Sequence, residues 1–111
     1  AMKKIEAVIK PFKLDQVRQS LGALDAKGLT VLEVVRCGLY PGETFRSVAG
    51  EIDGAPNVKI EIITEDERAE VIARAIERAA HTGRDGDGVI SILPVDDVVR
   101  IRTGEHGVGA I

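Results

Sequence analysis

Three glycines in six residues, Gly83-Arg84-Asp85-Gly86-Asp87-Gly88, make the stretch of this 111-residue sequence best suited to holding an anion. Glycine lets backbone N–H groups come close to a ligand and converge on it, as in phosphate-binding nests. The stretch lacks the Gly-x-x-x-x-Gly-Lys-Ser/Thr spacing of a P-loop. It also lies between a helix and a strand, where the dinucleotide fingerprint needs the opposite order, so a simple turn is the competing reading. Arg100 and Arg102 come second. Two apart on a strand they would point the same way and form a two-cation clamp for phosphates, against the alternative of a solvated strand face. The third feature is the stretch from Arg36 to Pro56, with four glycines, two prolines and no sustained period. A loop of that length in a small domain is usually functional or mobile, the alternative being an insertion without a role.

Other chemistry is poorly supplied. His81 and His106 are the only histidines and neither has a Ser or Cys in a nucleophile motif beside it, so an enzyme is not expected. The single Cys37 cannot form an internal disulfide, and with two histidines it makes a poor metal site. It reads instead as a small semi-buried residue near a strand end. The histidines read as solvated or capping side chains.

The elements that must position these residues are legible from periodicity. Residues 3–9 alternate with Ile5, Ala7 and Ile9 on one face, and Lys10-Pro11 ends that strand. Leu14, Val17, Leu21 and Leu24 predict a helix over about 14–25. After Gly28, the β-branched run Leu29–Val35 reads as a second strand. Val58, Ile60 and Ile62 mark a third, and Thr64 with Glu67 has the spacing of a capping box opening a second helix. That helix carries Val71, Ile72, Ala75, Ile76 and Ala79 and frays at His81-Thr82-Gly83. Val89–Pro94 is the fourth strand, followed by the short extension Asp97–Arg102. The order βαββαβ is the split βαβ arrangement called ferredoxin-like, an α+β fold. One domain over 1–111 is expected, with a loop at about 37–56 and a C-terminal extension at about 97–111. Helices on one sheet face leave the other needing cover, which points to an oligomer.

Composition narrows the partners. Aromatic residues are 3% of the chain, so there is no stacking platform for single-stranded nucleic acid. A net charge of −3 with interleaved signs gives no cationic face for DNA or anionic lipid. No run of about 18 apolar residues spans a membrane and no signal peptide is evident, so a cytoplasmic protein acting on a protein or small ligand is expected.

Three blocks then resemble one family, the nitrogen regulatory PII proteins: Lys3-Lys-Ile-Glu-Ala-Val-Ile-Lys-Pro-Phe-Lys-Leu-Asp15, Thr82-Gly-Arg-Asp-Gly-Asp-Gly88 and Leu93-Pro-Val-Asp-Asp-Val-Val-Arg-Ile-Arg-Thr-Gly-Glu105. The resemblance covers nearly the whole chain outside the loop. It implies a non-catalytic homotrimer that binds ATP or ADP in clefts between subunits and docks through its loop on a transporter, enzyme or regulator. Under it, Thr30 faces the adenine. Gly86, Asp87 and Gly88 hold ribose and phosphates, Arg100 and Arg102 reach the phosphates across the interface, and Gly38 and Val58 fall at further cleft positions.

Departures from the family pattern point to a divergent member, of a kind that accompanies inorganic-carbon transport or carboxysome genes. Tyr40 stands where the family has the glutamine that ligands Mg²⁺ beside 2-oxoglutarate, Asn57 replaces a lysine that pairs that dianion, and Val89 replaces a lysine on the outer phosphates. The loop is about two residues shorter than the pattern and its tip carries no tyrosine for uridylylation. ADP or AMP is therefore expected over ATP, without a Mg²⁺ ligand. Arg36, Tyr40 and Gly42 form a candidate site for a small anion such as bicarbonate. The alternatives are an ordinary sensor of ATP and 2-oxoglutarate, or a structural trimer without ligand.

Overall fold

A computed structural model describes residues 1–37, 45–47, 50–52 and 55–111. Strand β1 (Met2–Ile9) leads through a 3-10 turn (Pro11–Lys13) into helix α1 (Leu14–Ala23). Then come β2 (Thr30–Arg36), β3 (Phe45–Ser47), β4 (Gly50–Ile52), β5 (Ala55–Glu65), helix α2 (Asp66–Ala80) and β6 (Gly88–Val95). A final 3-10 turn spans Gly107–Ala110.

The main sheet has the order β2-β5-β1-β6, with every neighbour antiparallel, which is the ferredoxin-like βαββαβ topology expected from the sequence. β1 is central, with Ile5 opposite Ile62 on one side and Ile92 on the other. Its period-2 pattern puts Ile5, Ala7 and Ile9 on the same face as Val58, Ile60 and Ile62, and all six are buried under α1 and α2. Val17 and Leu21 of α1 and Ala69, Ile72 and Ile76 of α2 complete this core. Seven large aliphatic side chains, Ile5, Ile9, Val17, Leu21, Ile60, Ile72 and Ile76, are essentially sealed from water. Burial of each contributes roughly 1.5–3 kcal/mol. Val71 does not join them; it is half exposed, because the buried stripe of α2 runs through Ala69, Ile72, Ala75, Ile76 and Ala80.

The capping box is not formed either. β5 continues to Glu65, so Thr64 is a buried strand residue, and Glu65 is the N-cap without a side-chain cap bond. Asp66 and Glu67 in the first turn supply the negative charge that a helix N-terminus favours. At the end of α1 the N–H of Ala26 reaches the Leu21 carbonyl at 3.2 Å and that of Asp25 reaches Gly22 at 3.1 Å, a Schellman motif. Asp25 takes the left-handed position, φ +55°, that glycine usually fills. The Arg68 guanidinium donates to the Leu24 carbonyl and ties α2 to this turn.

The stretch read as a patternless loop of 37–56 is more ordered than that. β3 and β4 pair as a two-stranded hairpin, with Phe45 opposite Ile52, and β5 already begins at Ala55. The sheet face away from the helices bears a lattice of alternating charges. Lys4 lies 2.9 Å from Glu6 and Lys59 3.2 Å from Glu61, with Lys59–Glu6 at 3.5 Å linking the pairs. Exposed Leu32 and Val89 flank that lattice in the same cross-strand row. Among the described residues no helix is long and apolar enough to cross a membrane.

Candidate functional site

The glycine-rich loop joins α2 to β6, and one carboxylate organises it. Asp87 accepts from the N–H of Thr82 at 2.8 Å, from the N–H of Gly83 at 2.9 Å and from the Thr82 hydroxyl. The Lys10 ammonium, from the end of β1, lies 3.0 Å from Asp87 and 3.1 Å from the Thr82 hydroxyl oxygen. These contacts hold the Asp87 carboxyl far below the usual carboxylate range; the Thr82 hydroxyl is the largest cause, then the Thr82 N–H, with Lys10 and the Gly83 N–H adding to it. The loop is thus shaped from within, by a side chain that is ionised at neutral pH. Asp87 turns into the loop, so what the loop offers an anion is its main chain. Among the described residues nothing accepts from the backbone N–H of Asp85 or Gly86.

Glycine is required where the loop meets the sheet. Gly88 has φ +107°, and a Cβ there would stand 1.7 Å from the Val8 carbonyl oxygen. Because Gly88 pairs with Ile9 across the β1–β6 ladder, that close approach sets where the loop begins.

Beneath the loop lies an open cleft of about 500 Å³, lined by Lys10, Arg36, Cys37, Ala55, Pro56, Asn57, Asp85 and Gly86. It brings together two residues singled out from sequence, Arg36 at the end of β2 and Gly86. Gly38, Tyr40 and Gly42, the remaining expected contributors from the loop base, lie outside the described residues. Asn57 is buried and donates to the Ile9 carbonyl at 3.0 Å, so the residue standing for the family's lysine is a brace between β5 and β1. Val58 is a core side chain, leaving only its main chain for any ligand. Cys37, expected to be semi-buried, is an exposed free thiol on the cleft wall.

Thr30 sits elsewhere. At the start of β2 it lines a separate recess of about 240 Å³ with Lys4, Lys27, Gly28, Leu29, Glu61, Ile62, Ile63, Val98, Ala110 and Ile111. Thr30 starts β2, diagonally across the sheet from Gly88, whose row runs through Ile9 and Val58 to Glu33, and its recess shares no residue with the cleft beneath the loop, so the two do not meet within one chain.

The strand expected under Arg100 and Arg102 is absent. A single bridge pairs Val99 with His106, and the chain turns at 101–103, closed by the Arg100 N–H to Glu105 carbonyl bond at 2.9 Å. The two arginines therefore do not share a strand face. Arg100 donates from Nη2 to the main-chain oxygen of Ile111 at 2.9 Å, while its Nε is buried without a partner among the described residues. Arg102 is exposed, and Ile101 between them is 99% exposed. The alternation Val-Val-Arg-Ile-Arg imitates a strand, but among the described residues only Val99 finds a partner, in the single bridge to His106.

Sequence reasoning passed over Lys10, Thr82 and Asp97. The Thr82–Asp87 spacing around glycines was the available signal for Thr82, since a hydroxyl and a carboxylate flanking a tight turn commonly cap each other, whereas nothing local marked Lys10.

A family model described as "Nitrogen regulatory protein P-II" matches residues 2–105. The nitrogen regulatory protein P-II of Azospirillum brasilense is 52% identical over 112 aligned positions, covering 99% of this chain and 100% of that one. The protein of the same name from Rhizobium meliloti (strain 1021) is 48% identical, again covering 99% of this chain and all of its own. Among solved structures, the crystal structure of Arabidopsis thaliana PII bound to citrate superposes with a TM-score of 0.84 at 34% identity, covering 99% of this chain and 92% of that one. With fold, loop and end-to-end coverage in agreement, the chain belongs to the nitrogen regulatory protein P-II family.

Proposed function

We propose that this chain is a non-catalytic regulator that assembles as a homotrimer, binds an adenine nucleotide between subunits and acts on a target protein through the segment around 37–56. One observation carries the reading. Thr30 and the glycine-rich loop lie diagonally across the sheet and line separate recesses, which supports a nucleotide that touches both only where two copies lie side by side. In such a cleft Thr30 meets the base of a nucleotide held at Gly86, Asp87 and Gly88 of the neighbouring copy. Arg100 and Arg102 supply cationic reach to its phosphates, with Gly38 and Val58 at the margin.

ADP or AMP is favoured over ATP. Asn57 is committed to the Ile9 carbonyl and Val89 is apolar, so two cations of the family pattern are missing from the phosphate side. Each absent charged hydrogen bond is worth about 1.5–3 kcal/mol, enough to shift a preference tenfold. A small anion such as bicarbonate, held beside Arg36 with Tyr40 and Gly42, is the proposed co-effector; the citrate named with the Arabidopsis structure is a precedent for a small carboxylate on a relative. The chain acts in the cytoplasm, on a transporter, enzyme or regulator.

The test is light scattering with calorimetric titration of ADP, AMP and ATP, each with and without bicarbonate or 2-oxoglutarate. A trimer mass with ADP or AMP tighter than ATP is expected. A monomer, or no nucleotide heat at all, overturns the proposal, the latter leaving a structural trimer. Saturable 2-oxoglutarate binding with MgATP would restore the ordinary nitrogen-sensing reading.

A further inference from the structure

The hairpin of residues 97–107 carries both candidate phosphate-binding arginines, yet almost nothing apolar holds it. Val99 is half exposed and Ile101 wholly exposed, and one isolated bridge replaces a ladder. Its backbone bonds are few: the Gly107 N–H to the Val98 carbonyl at 2.9 Å, the Arg100 N–H to Glu105 at 2.9 Å, and the Gly104 and Thr103 N–H groups to Arg100 at 2.7 and 3.3 Å. A segment with so few buried contacts takes its order from individual polar bonds.

Asp97 gathers most of those at the hairpin's base. One oxygen accepts from the Val98 N–H at 2.9 Å and the Gly107 N–H at 3.2 Å, and the other lies 2.7 Å from Nδ1 of His106. The two sides of the hairpin are thereby clipped together directly below Arg100 and Arg102. We infer that Asp97 and His106 form a clasp that positions Arg100 and Arg102, and that protonation of His106 raises affinity for a phosphate-bearing ligand, so that affinity falls as pH rises across the imidazole range. This inference rests on the proposed phosphate-binding role of the two arginines.

The direction follows from two effects of the same sign. A neutral imidazole can keep its Nδ1–H on Asp97, but an imidazolium donates a charge-assisted and shorter bond, which tightens the clasp. It also adds a positive charge to the element that carries the arginines, which favours an anion. Both effects belong to the charged form of the ring and are lost with its proton as pH rises. Asp97 is the one charged partner of His106 among the described residues. The other charged groups of the segment are Asp96 and Glu105, the latter facing the Thr103 hydroxyl, together with the arginines themselves. Gly107–Ala110 and Ile111, which follow, carry no titratable side chain. His106 is thus a positioning residue.

The experiment is calorimetric titration of ADP into the intact protein from pH 5.5 to 8.5, beside His106→Asn, His106→Ala and Arg102→Ala. Asparagine keeps a donor near the Nδ1 position and cannot ionise, and comparison with the parent cancels the titration of ADP's own phosphate. Across that range the parent should lose about two- to fivefold more affinity than His106→Asn, the size expected of a partly exposed ion pair. His106→Ala should be weaker than His106→Asn at every pH, since it also loses the donor. Hydrogen exchange at the Arg100 and Gly107 amides should quicken with rising pH, beyond the intrinsic rate change, in the parent but not in His106→Asn. Parallel pH profiles for parent and His106→Asn, with Arg102→Ala still weakening ADP, would overturn the clasp and leave the nucleotide reading standing. ADP affinity indifferent to Arg102→Ala at all pH values would instead remove the reading beneath it.

Discussion

The glycine-rich loop and the C-terminal hairpin use the same device with opposite backing. In each, one aspartate gathers backbone N–H groups and a cationic or ionisable partner: Asp87 takes Thr82, Gly83 and Lys10, and Asp97 takes Val98, Gly107 and His106. The first loop is continuous with a sheet strand, and Gly88 sits hard against Val8 of the central strand, so the sheet register dictates its position. The hairpin has one isolated bridge in place of a ladder and few buried apolar side chains, so polar contacts hold most of its shape. A carboxylate hub therefore rigidifies a loop in the first case and leaves an adjustable arm in the second. Ligand phosphates held by both would meet a fixed wall and a movable one.

The sharpest break of that comparison is Gly88→Ala. The new methyl has no space beside the Val8 carbonyl and the backbone is in a region L-residues avoid, so unfolding free energy should fall by about 3–5 kcal/mol. Denaturant melts measure it, and an unchanged midpoint would mean that the loop is not fixed by the sheet. Asp87→Asn comes next. It keeps the shape but loses the ionised acceptor, and ADP affinity should drop roughly tenfold. Because the Asp87 carboxyl is held below its ordinary pKa, its stabilisation is complete at neutral pH and is lost only as acid carries the solution down through that lowered value. The parent should thus show a steeper loss of stability below about pH 4 than Asp87→Asn does. The smallest effect is reserved for the arm: Ile101→Ala, at a side chain 99% exposed, should shift stability by less than about 0.5 kcal/mol. A larger loss would sharpen the comparison by revealing that the arm gains its backing from a second copy.

What the sequence made legible is what repeats. The alternation through Ile5, Ala7 and Ile9 and through Val58, Ile60 and Ile62, and the stripe of Ile72, Ala75 and Ile76, all found their places because a period is imposed by burial against one layer. The failures have the same physics. Val71 and the arginine strand mimic a period without a surface to bury against, and Thr64 mimics a cap because β5 outruns the point where its alternation could be read. β3 and β4, three residues each, are too short to show any period. At the candidate site, the glycines were readable one by one. The link from Lys10 to Asp87 was not, since it joins positions 77 residues apart that only the β1–β6 pairing brings together.

The order of strands in the sheet also bears on how the chain is made. β1 is the first of the six described strands to be synthesised, yet it ends up flanked on both sides, by β5 and β6. At ordinary elongation rates the ribosome needs on the order of 5–15 s to travel from β1 to β6. Until β5 emerges both edges of this interior strand are open, and until β6 follows one still is, the condition under which nascent chains pair wrongly. Lys3, Lys4, Glu6 and Lys10 break its apolar run during the wait, so the same residues that later serve the folded protein act first as gatekeepers on the nascent one.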